Sequence, residues 1–163
     1  MLSELTEFHN SLTWPVRAHG LELELLSAGR ETRRNHDYRW DGTRRGQEYA
    51  AILQWTLDGE GELLLKERRI PVKTGQAMLI HLPHQHVYSL PKHSPMWSFV
   101  YINLRGSALH QHWREIERRL GHVADIPFES RAGQTLCDII RLMHAKEVHT
   151  SYHSSSLAYQ CLM

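Results

Sequence analysis

Hydrophobic and polar residues alternate along the first two thirds of the chain, as they do in half-buried β-strands. The alternation is clearest at Leu21, Leu23 and Leu25, which are separated by glutamates. Successive side chains of a strand point to opposite faces, so this pattern predicts one buried face. The other apolar runs lie at 49–57, 62–66, 69–72, 77–80, 86–88 and 97–104. Short strands at this spacing are typical of a β-sandwich or jelly roll.

Turn residues separate these runs. The tetrapeptide 58–61 (Asp-Gly-Glu-Gly) follows the run 49–57, and glycine can take the positive φ of a tight hairpin. We therefore expect a hairpin whose return strand is 62–66. Thr74 and Gly75 predict a further turn.

The segment 28–47 is polar and rich in arginine. It predicts a loop with at most one short strand, around 36–40. Arg39, Arg44 and Arg45 lie here, and charged side chains in such a segment are usually solvated.

Beyond the last apolar run the period changes from that of a strand to that of an α-helix. Ser107 and Ser130 are the expected N-caps of two helices, and Gly121 ends the first. Their apolar positions are Leu109, Trp113, Ile116 and Leu120, then Leu136, Ile139, Ile140 and Met143. A third helix, expected from Ser154, reaches Met163 with no glycine, proline or basic last turn. We therefore expect an excised domain.

These elements divide the chain into an N-terminal arm (1–14), a barrel (15–106) and a helical region (107–163). The expected fold class is mostly β with C-terminal α. Phe8, Leu12 and Trp14 give the arm apolar surface to bury, so it either covers the barrel or frays as a terminus.

Composition and charge narrow the possible functions. Of the 163 residues, 41% are hydrophobic and 23% are charged, as in an ordinary soluble domain. The net charge is +1, without the basic stripe by which a nucleic-acid-binding domain neutralises phosphates. No apolar run approaches the roughly 20 residues of a membrane span, and the N-terminus carries acids where a signal peptide carries bases. We expect a cytoplasmic protein that does not bind membranes. Cys137 and Cys161 lack the spacing of a disulfide framework or a thiolate zinc site.

Three segments together resemble the sensor domain of the AraC family of bacterial transcription regulators. Residues 75–88 (GQAMLIHLPHQHVY) are similar to the second conserved cupin motif, which has a glycine turn, an apolar strand, a proline and a histidine that opens the next strand. Residues 57–63 (LDGEGEL) and 97–102 (WSFVYI) stand before and after it. The resemblance covers about 46–106 and extends more weakly through the helices.

The resemblance implies a cupin-type jelly-roll barrel followed by two to three helices. The barrel would hold a small-molecule effector, a sugar or another metabolite, with no cofactor, and the N-terminal arm would fold over it. A helix would pair with its twin in a homodimer, and a helix-turn-helix domain beyond Met163 would bind DNA. The implied function is effector sensing and dimerisation within a transcription regulator. A dimerisation module whose barrel is filled by side chains is a further possibility.

A metal-dependent cupin enzyme, such as a dioxygenase or isomerase, is the alternative function. In that class a His-x-His motif followed by an acid supplies most of the ligands, whereas the matching stretch 36–48 has a single histidine. If a metal binds, the candidate ligands are His81, His84 and His86, of which His86 is expected to point inward. No nucleophile motif, phosphate loop or spaced carboxylate pair is present, so catalysis is not expected.

The candidate ligand-binding residues are Trp97, Arg44, His86, Trp55, Tyr49 and Tyr88, followed by Tyr101. Trp97 lies where the resemblance places an aromatic ring that stacks on a bound sugar, although a core position fits the sequence equally well. Arg44 lies near a position from which a relative's arginine reaches the ligand. Trp55 and Tyr49 line the barrel in one strand register and face away from it in the other.

Overall fold

The computed structural model describes residues 2–14, 20–46 and 48–163. Its strands are β1 Phe8–Ser11, β2 Glu24–Arg33, β3 Arg39–Asp41, β4 Ala50–Leu65, β5 Arg68–Lys73, β6 Gln76–Leu82, β7 His86–Ser89, β8 Trp97–Arg105 and β9 Val123–Asp125. Its helices are α1 Leu109–Leu120, α2 Arg131–His144 and α3 Ser151–Leu162, with short 3-10 turns at Leu2–Glu4 and Gly42–Arg44. The predicted fold class, mostly β with C-terminal α, is confirmed.

Antiparallel pairing joins the strands into two connected sheets. The larger sheet has the order β1-β2-β8-β4-β6-β9. The smaller one consists of β3, β7, the second half of β4, and β5. The strand β4 therefore belongs to both, because residues 50–59 pair with β8 and residues 60–65 pair with β5. This shared strand lets the two sheets close around an interior, as in a jelly roll.

The predicted hairpin at 58–61 is wrong, because the chain continues through it as a single strand. A register shift between Thr56 and Asp58 marks a bulge, and Gly59 has a φ of +75°. A bulge bends a strand and increases its twist, which here carries β4 from one sheet into the other. The hairpin turn comes after β4, at Lys66, whose φ is +56°.

The segment 28–47 contains more strand than its polar composition predicts. Pairing of β2 with β8 continues to Arg33, and β3 forms at the edge of the smaller sheet. Glu31 and Arg33 face a cavity instead of an apolar core. This end of β2 therefore lacks the alternation of apolar residues that identifies a strand in sequence.

The helices bury most of their predicted apolar stripes, but Leu120, at the end of α1, is 55% exposed. Gly121, with a φ of +77°, ends α1, and the Ser130 hydroxyl caps α2. Ser107 does not cap α1, whose N-cap is Ala108 with no side-chain hydrogen bond. The third helix begins at Ser151, earlier than expected, and β9 was not predicted. Among the described helices, none combines the length and apolar character that crossing a bilayer requires.

Two hydrophobic cores lie on opposite faces of the larger sheet. The core inside the barrel includes Ile52, Leu63, Met78, Ile80, Trp97 and Phe99. The outer core packs the sheet against the helices and includes Leu53, Trp55, Val100, Ile102, Trp113 and Ile140. Alternate residues of β4 and β8 thus enter different cores, which explains why both strands are apolar on both faces.

A buried hydroxyl attaches α3 to the larger sheet. Ser154 is fully buried, and its Oγ donates to the backbone oxygen of Leu25 at 2.9 Å. Ser154→Ala should lower the free energy of unfolding by about 1 kcal/mol, measured by urea denaturation, because it removes a buried hydrogen bond. Ser156→Ala makes the same change at an exposed position of α3 and should alter stability by less than about 0.5 kcal/mol. Equal losses of unfolding free energy in the two variants would show that the Ser154 hydroxyl does not attach α3 to the sheet.

Candidate functional site

A cavity of about 220 Å³ lies inside the barrel and is lined mainly by polar side chains. Those that carry its chemistry are Glu31, Arg33, Arg45, Gln54, Tyr88 and Tyr101. An adjoining depression of about 360 Å³ shares Arg45, Ile52 and Asn103 with it. The two together form the opening of the barrel.

Strand alternation brings the cavity residues together. Positions 31 and 33 of β2, 52 and 54 of β4, and 99, 101 and 103 of β8 line the cavity. In the register of the sheet, Gln54 pairs with Tyr101. Gly29 pairs with Tyr101 on the other side, and a side chain at Gly29 would place its Cβ 2.5 Å from the Tyr101 hydroxyl. The glycine therefore makes room for the tyrosine.

One ion pair stands at the cavity mouth. The Glu31 carboxylate accepts hydrogen bonds from Arg33 Nε at 2.9 Å and Nη2 at 2.5 Å. The Arg33 guanidinium also lies over the Tyr38 ring, 5.2 Å from its centroid. This arginine is thus neutralised by its neighbour two residues earlier on the strand.

The second cavity arginine contacts neutral groups. Arg45 Nη1 donates to the Tyr88 hydroxyl at 2.5 Å, and its guanidinium lies 4.8 Å from the centroid of the Trp40 ring. Arg45 is half-buried. Among the residues that the structure describes, Arg45 forms no ion pair with a carboxylate.

Three phenols and two amides complete the polar lining. Burial raises the pKa of Tyr88 and of Tyr101 to about 12, and it raises the pKa of Tyr38 further, so all three stay neutral. Gln54 is buried, and its Nε2 has no partner of good hydrogen-bond geometry among the described residues, although the Tyr38 hydroxyl lies near enough to interact with it. The Oδ1 of Asn103 is likewise buried without a partner. Buried polar atoms are nearly always hydrogen-bonded, so these two indicate a site for a polar ligand.

The N-terminal arm contributes to the same cavity. Its strand β1 pairs with β2 at the edge of the larger sheet, and His9 Nδ1 lies 2.5 Å from the Tyr101 hydroxyl. Asn10, on the opposite face of β1, donates from Nδ2 to the Met143 backbone oxygen at 2.9 Å. The described part of the arm is therefore an edge strand between the cavity and α2.

Of the predicted ligand-binding residues, Tyr88 lines this cavity and Arg44 does not. The Arg44 side chain is 86% exposed, and its Nε lies 3.8 Å from Asp41. It belongs to a 3-10 turn whose next residue, Arg45, enters the cavity instead. The sequence-based choice thus falls one residue short, because a 3-10 turn has no periodicity long enough to show which residue points inward.

Trp97 is placed deeper in the barrel than a ligand-stacking ring would be. It is 0% exposed, and its Nε1 donates to Thr56 Oγ1 at 3.0 Å. Gly61 faces its indole so closely that an added Cβ would clash with the ring. The structure therefore places Trp97 in the core, outside the cavity lining.

Trp55 lies on the face of β4 that points away from the cavity. Tyr49 lies in the segment just before β4. Trp55 is buried in the outer core, with its ring 4.4 Å from that of Phe128. Tyr49 packs on His81, with a centroid distance of 5.4 Å, and borders the adjoining depression. The register thus turns Trp55 toward the helices.

His86 points inward, as predicted, but lies outside the cavity. It is 3% exposed, its Nδ1 is 3.3 Å from His84 Nδ1, and its Nε2 has no partner. The Nδ1 of His81 lies 2.7 Å from Glu117 Oε1. Within residues 2–14, 20–46 and 48–163, no group of three or more His, Cys, Asp or Glu side chains is arranged to hold a metal ion.

A larger cavity, of about 580 Å³, lies outside the barrel between β4 and α2. Leu57, Phe128 and Cys137 form part of its wall, and its charged residues Asp138 and Arg141 pair with each other at 3.1 Å. It lacks the convergent buried polar atoms of the barrel cavity. We therefore regard the barrel cavity as the candidate site.

Sequence reasoning missed most of the polar lining, namely Glu31, Arg33, Gln54 and Asn103. One of these residues could have been found from the sequence. Asn103 lies an even number of positions after Trp97 and Tyr101, so on a strand its side chain points to the same face as theirs. No comparable signal identified Glu31 and Arg33, which look like solvated loop residues in sequence.

Substitution of Trp97 tests whether it is a core residue. Trp97→Ala should cost about 3–5 kcal/mol of unfolding free energy in urea denaturation, because it leaves a large cavity in the barrel. Trp40→Ala changes the same residue type where 44% of it is exposed and should cost about 1 kcal/mol or less. A small loss for Trp97→Ala would contradict its placement in the core.

Protonation of His86 should destabilise the fold. Burial, followed by the nearby histidines, lowers the pKa of His86 from 6.5 to about 4. The unfolded chain therefore binds a proton that the folded chain does not, and stability falls as the pH drops from about 6.5 to 4. This pKa difference corresponds to about 3 kcal/mol. His86→Gln should flatten urea stability measured against pH in this window, whereas exposed His149→Gln should leave the slope unchanged. If stability changes with pH at the same slope in both variants, the pH dependence does not come from His86.

A family model described as the AraC-like ligand binding domain matches residues 29–162. The AraC-like transcriptional activator CuxR has a TM-score of 0.51 at 9% identity, covering 89% of this chain and 51% of that chain. YhaK from Escherichia coli has a TM-score of 0.47 at 16% identity, covering 62% and 45%. A Cupin 2 conserved barrel domain protein from Salinispora arenicola has a TM-score of 0.42 at 14% identity, covering 71% and 92%. The chain spans about half the length of CuxR and less than half of YhaK. The curated proteins contain no match to it.

Proposed function

Because the chain belongs to the family of AraC-like ligand-binding domains, we propose that it senses a small-molecule effector in the barrel cavity. The observation that carries this proposal is the pair of buried, unpartnered amide atoms, Gln54 Nε2 and Asn103 Oδ1, in the cavity wall. Ligand sites typically combine apolar walls with a few convergent polar groups, and the cavity has both. The effector would be a sugar or another small metabolite.

The cavity is suited to binding and not to catalysis. Its three tyrosines stay protonated because burial raises their pKa values, so none offers a base near neutral pH. Its one carboxylate, Glu31, is already paired with Arg33. The cavity therefore has groups that can donate and accept hydrogen bonds, and its histidine, His9, is bonded to the Tyr101 hydroxyl.

Effector binding would be transmitted through the arm. Tyr101 lines the cavity and contacts His9 of β1, and the neighbouring Asn10 is bonded to the backbone of α2. A ligand that competes with His9 for the Tyr101 hydroxyl would change how β1 sits between the sheet and α2. A ligand can shift such an equilibrium only if it binds the two arrangements with different affinity.

The wider assignment follows the family. The domain would act in the cytoplasm as the sensing and dimerising part of a transcription regulator, with DNA bound by a separate domain. The helices that cover the outer core, α1 to α3, would supply the surface for a homodimer.

A thermal-shift screen of sugars, organic acids and aromatic metabolites tests the proposal. An effector at about 100 times its Kd should add roughly 2.7 kcal/mol, which is several degrees in Tm. Tyr88→Phe removes the hydroxyl that accepts from Arg45 and should weaken binding of a hit about 10-fold. Tyr152→Phe, on the exposed surface of α3, should leave it unchanged. A hit that both variants affect equally, or a screen without a hit, would contradict effector binding in this cavity.

A further inference from the structure

The charges that line the barrel cavity do not cancel. Glu31 is satisfied by Arg33, whereas Arg45 contacts a neutral hydroxyl and an aromatic ring. In the adjoining depression Arg105 lies 3.4 Å from Glu24, and Glu48 is exposed and forms no ion pair with Arg45. One half-buried guanidinium therefore faces the cavity without a counter-charge, and such a group favours an anionic ligand.

The remaining donors of Arg45 fit a carboxylate. A guanidinium carries five N–H donors in a planar fork, and the bond to Tyr88 uses one of them. Two parallel N–H groups of such a fork match the two oxygens of a carboxylate. The Arg45 guanidinium carbon also lies over the Trp40 ring, which favours its positive charge at this place.

The two unpartnered amide atoms fit hydroxyl groups. Gln54 pairs with Tyr101 across β4 and β8, so Asn103 is its diagonal neighbour on the same face. Diagonal positions on neighbouring strands are about 7–8 Å apart, so the two amide side chains lie on neighbouring parts of the same face. Gln54 Nε2 is a donor and Asn103 Oδ1 is an acceptor. A hydroxyl group can accept from the first or donate to the second, whereas an ether only accepts and an ammonium group only donates.

From these two features we infer that the effector is a small hydroxycarboxylate, such as a sugar acid. Its carboxylate binds Arg45, and its hydroxyls hydrogen-bond to the amides of Gln54 and Asn103. The cavity volume of about 220 Å³ restricts the ligand to a compact molecule. This inference rests on the proposed function, because it concerns the same cavity.

Matched acid and neutral probes test the inference by isothermal titration calorimetry. The pairs are galacturonate with galactose, glucuronate with glucose, and gluconate with glucitol. At least one acid should bind at millimolar concentration or below, and at least 10-fold more tightly than its neutral partner. Arg45→Gln should weaken that acid about 10- to 100-fold, because it removes charge-assisted hydrogen bonds.

Arg44→Gln is the matched control. It removes the same charge from the neighbouring residue, whose side chain is exposed, and should leave the affinity within about 2-fold. An equal loss in both variants would overturn the assignment of Arg45. The melting temperature of each variant without ligand separates lost binding from lost folding.

The other outcomes separate this inference from the proposed function. If a neutral probe binds as tightly as its acid and Tyr88→Phe weakens both, the cavity binds an effector but the carboxylate assignment is wrong. If no acid binds while the wider screen yields a hit that depends on Tyr88, the hydroxycarboxylate class is also wrong. If neither the calorimetric titrations nor the thermal-shift screen yields a ligand whose binding depends on Tyr88, the proposed function itself fails.

Discussion

The alternation of side chains along β8 and the first part of β4, before its bulge, is the constraint on which the rest of this domain depends. These strands are central in the larger sheet, and each sends one set of residues into the barrel and the other toward the helices. A one-residue slip would exchange Gln54 for Trp55 in the cavity wall and leave a buried amide against α2. The fold and the site therefore share one register.

The elements with a clear hydrophobic period could be predicted from sequence, but the cavity could not. The helices α1 and α2 show that period, and β8 stands out as a continuous apolar run because apolar cores lie on both of its faces. At 58–61 the glycines permit either a hairpin or a bulge, and long-range pairing with β8 decides between them. Glu31 and Arg33 are polar because they face a cavity, and local sequence does not distinguish a polar cavity from bulk solvent.

The polar lining also has an energetic consequence. Core positions of a barrel normally hold aliphatic side chains, which stabilise the fold by burial. Here Gln54 and Asn103 occupy interior positions with polar atoms that lack a well-aligned partner in the described part of the chain, and each such atom costs free energy. Residues that reduce stability at interior positions are expected at functional sites, where a ligand supplies the missing interactions. The deeper barrel, around Trp97 and Phe99, remains apolar and well packed.

The shared strand β4 also bears on how such a sensor can acquire new specificities. Its bulge separates the part that pairs with β8 from the part that pairs with β5. The polar cavity residues of β2, β4 and β8 have their backbones fixed by sheet pairing, while their side chains contribute little to either hydrophobic core. Substitutions at these few positions can therefore change which molecule is recognised while the packing that folds the domain stays intact. A lineage of such domains can diversify its responses by local replacement of side chains, without rebuilding the scaffold.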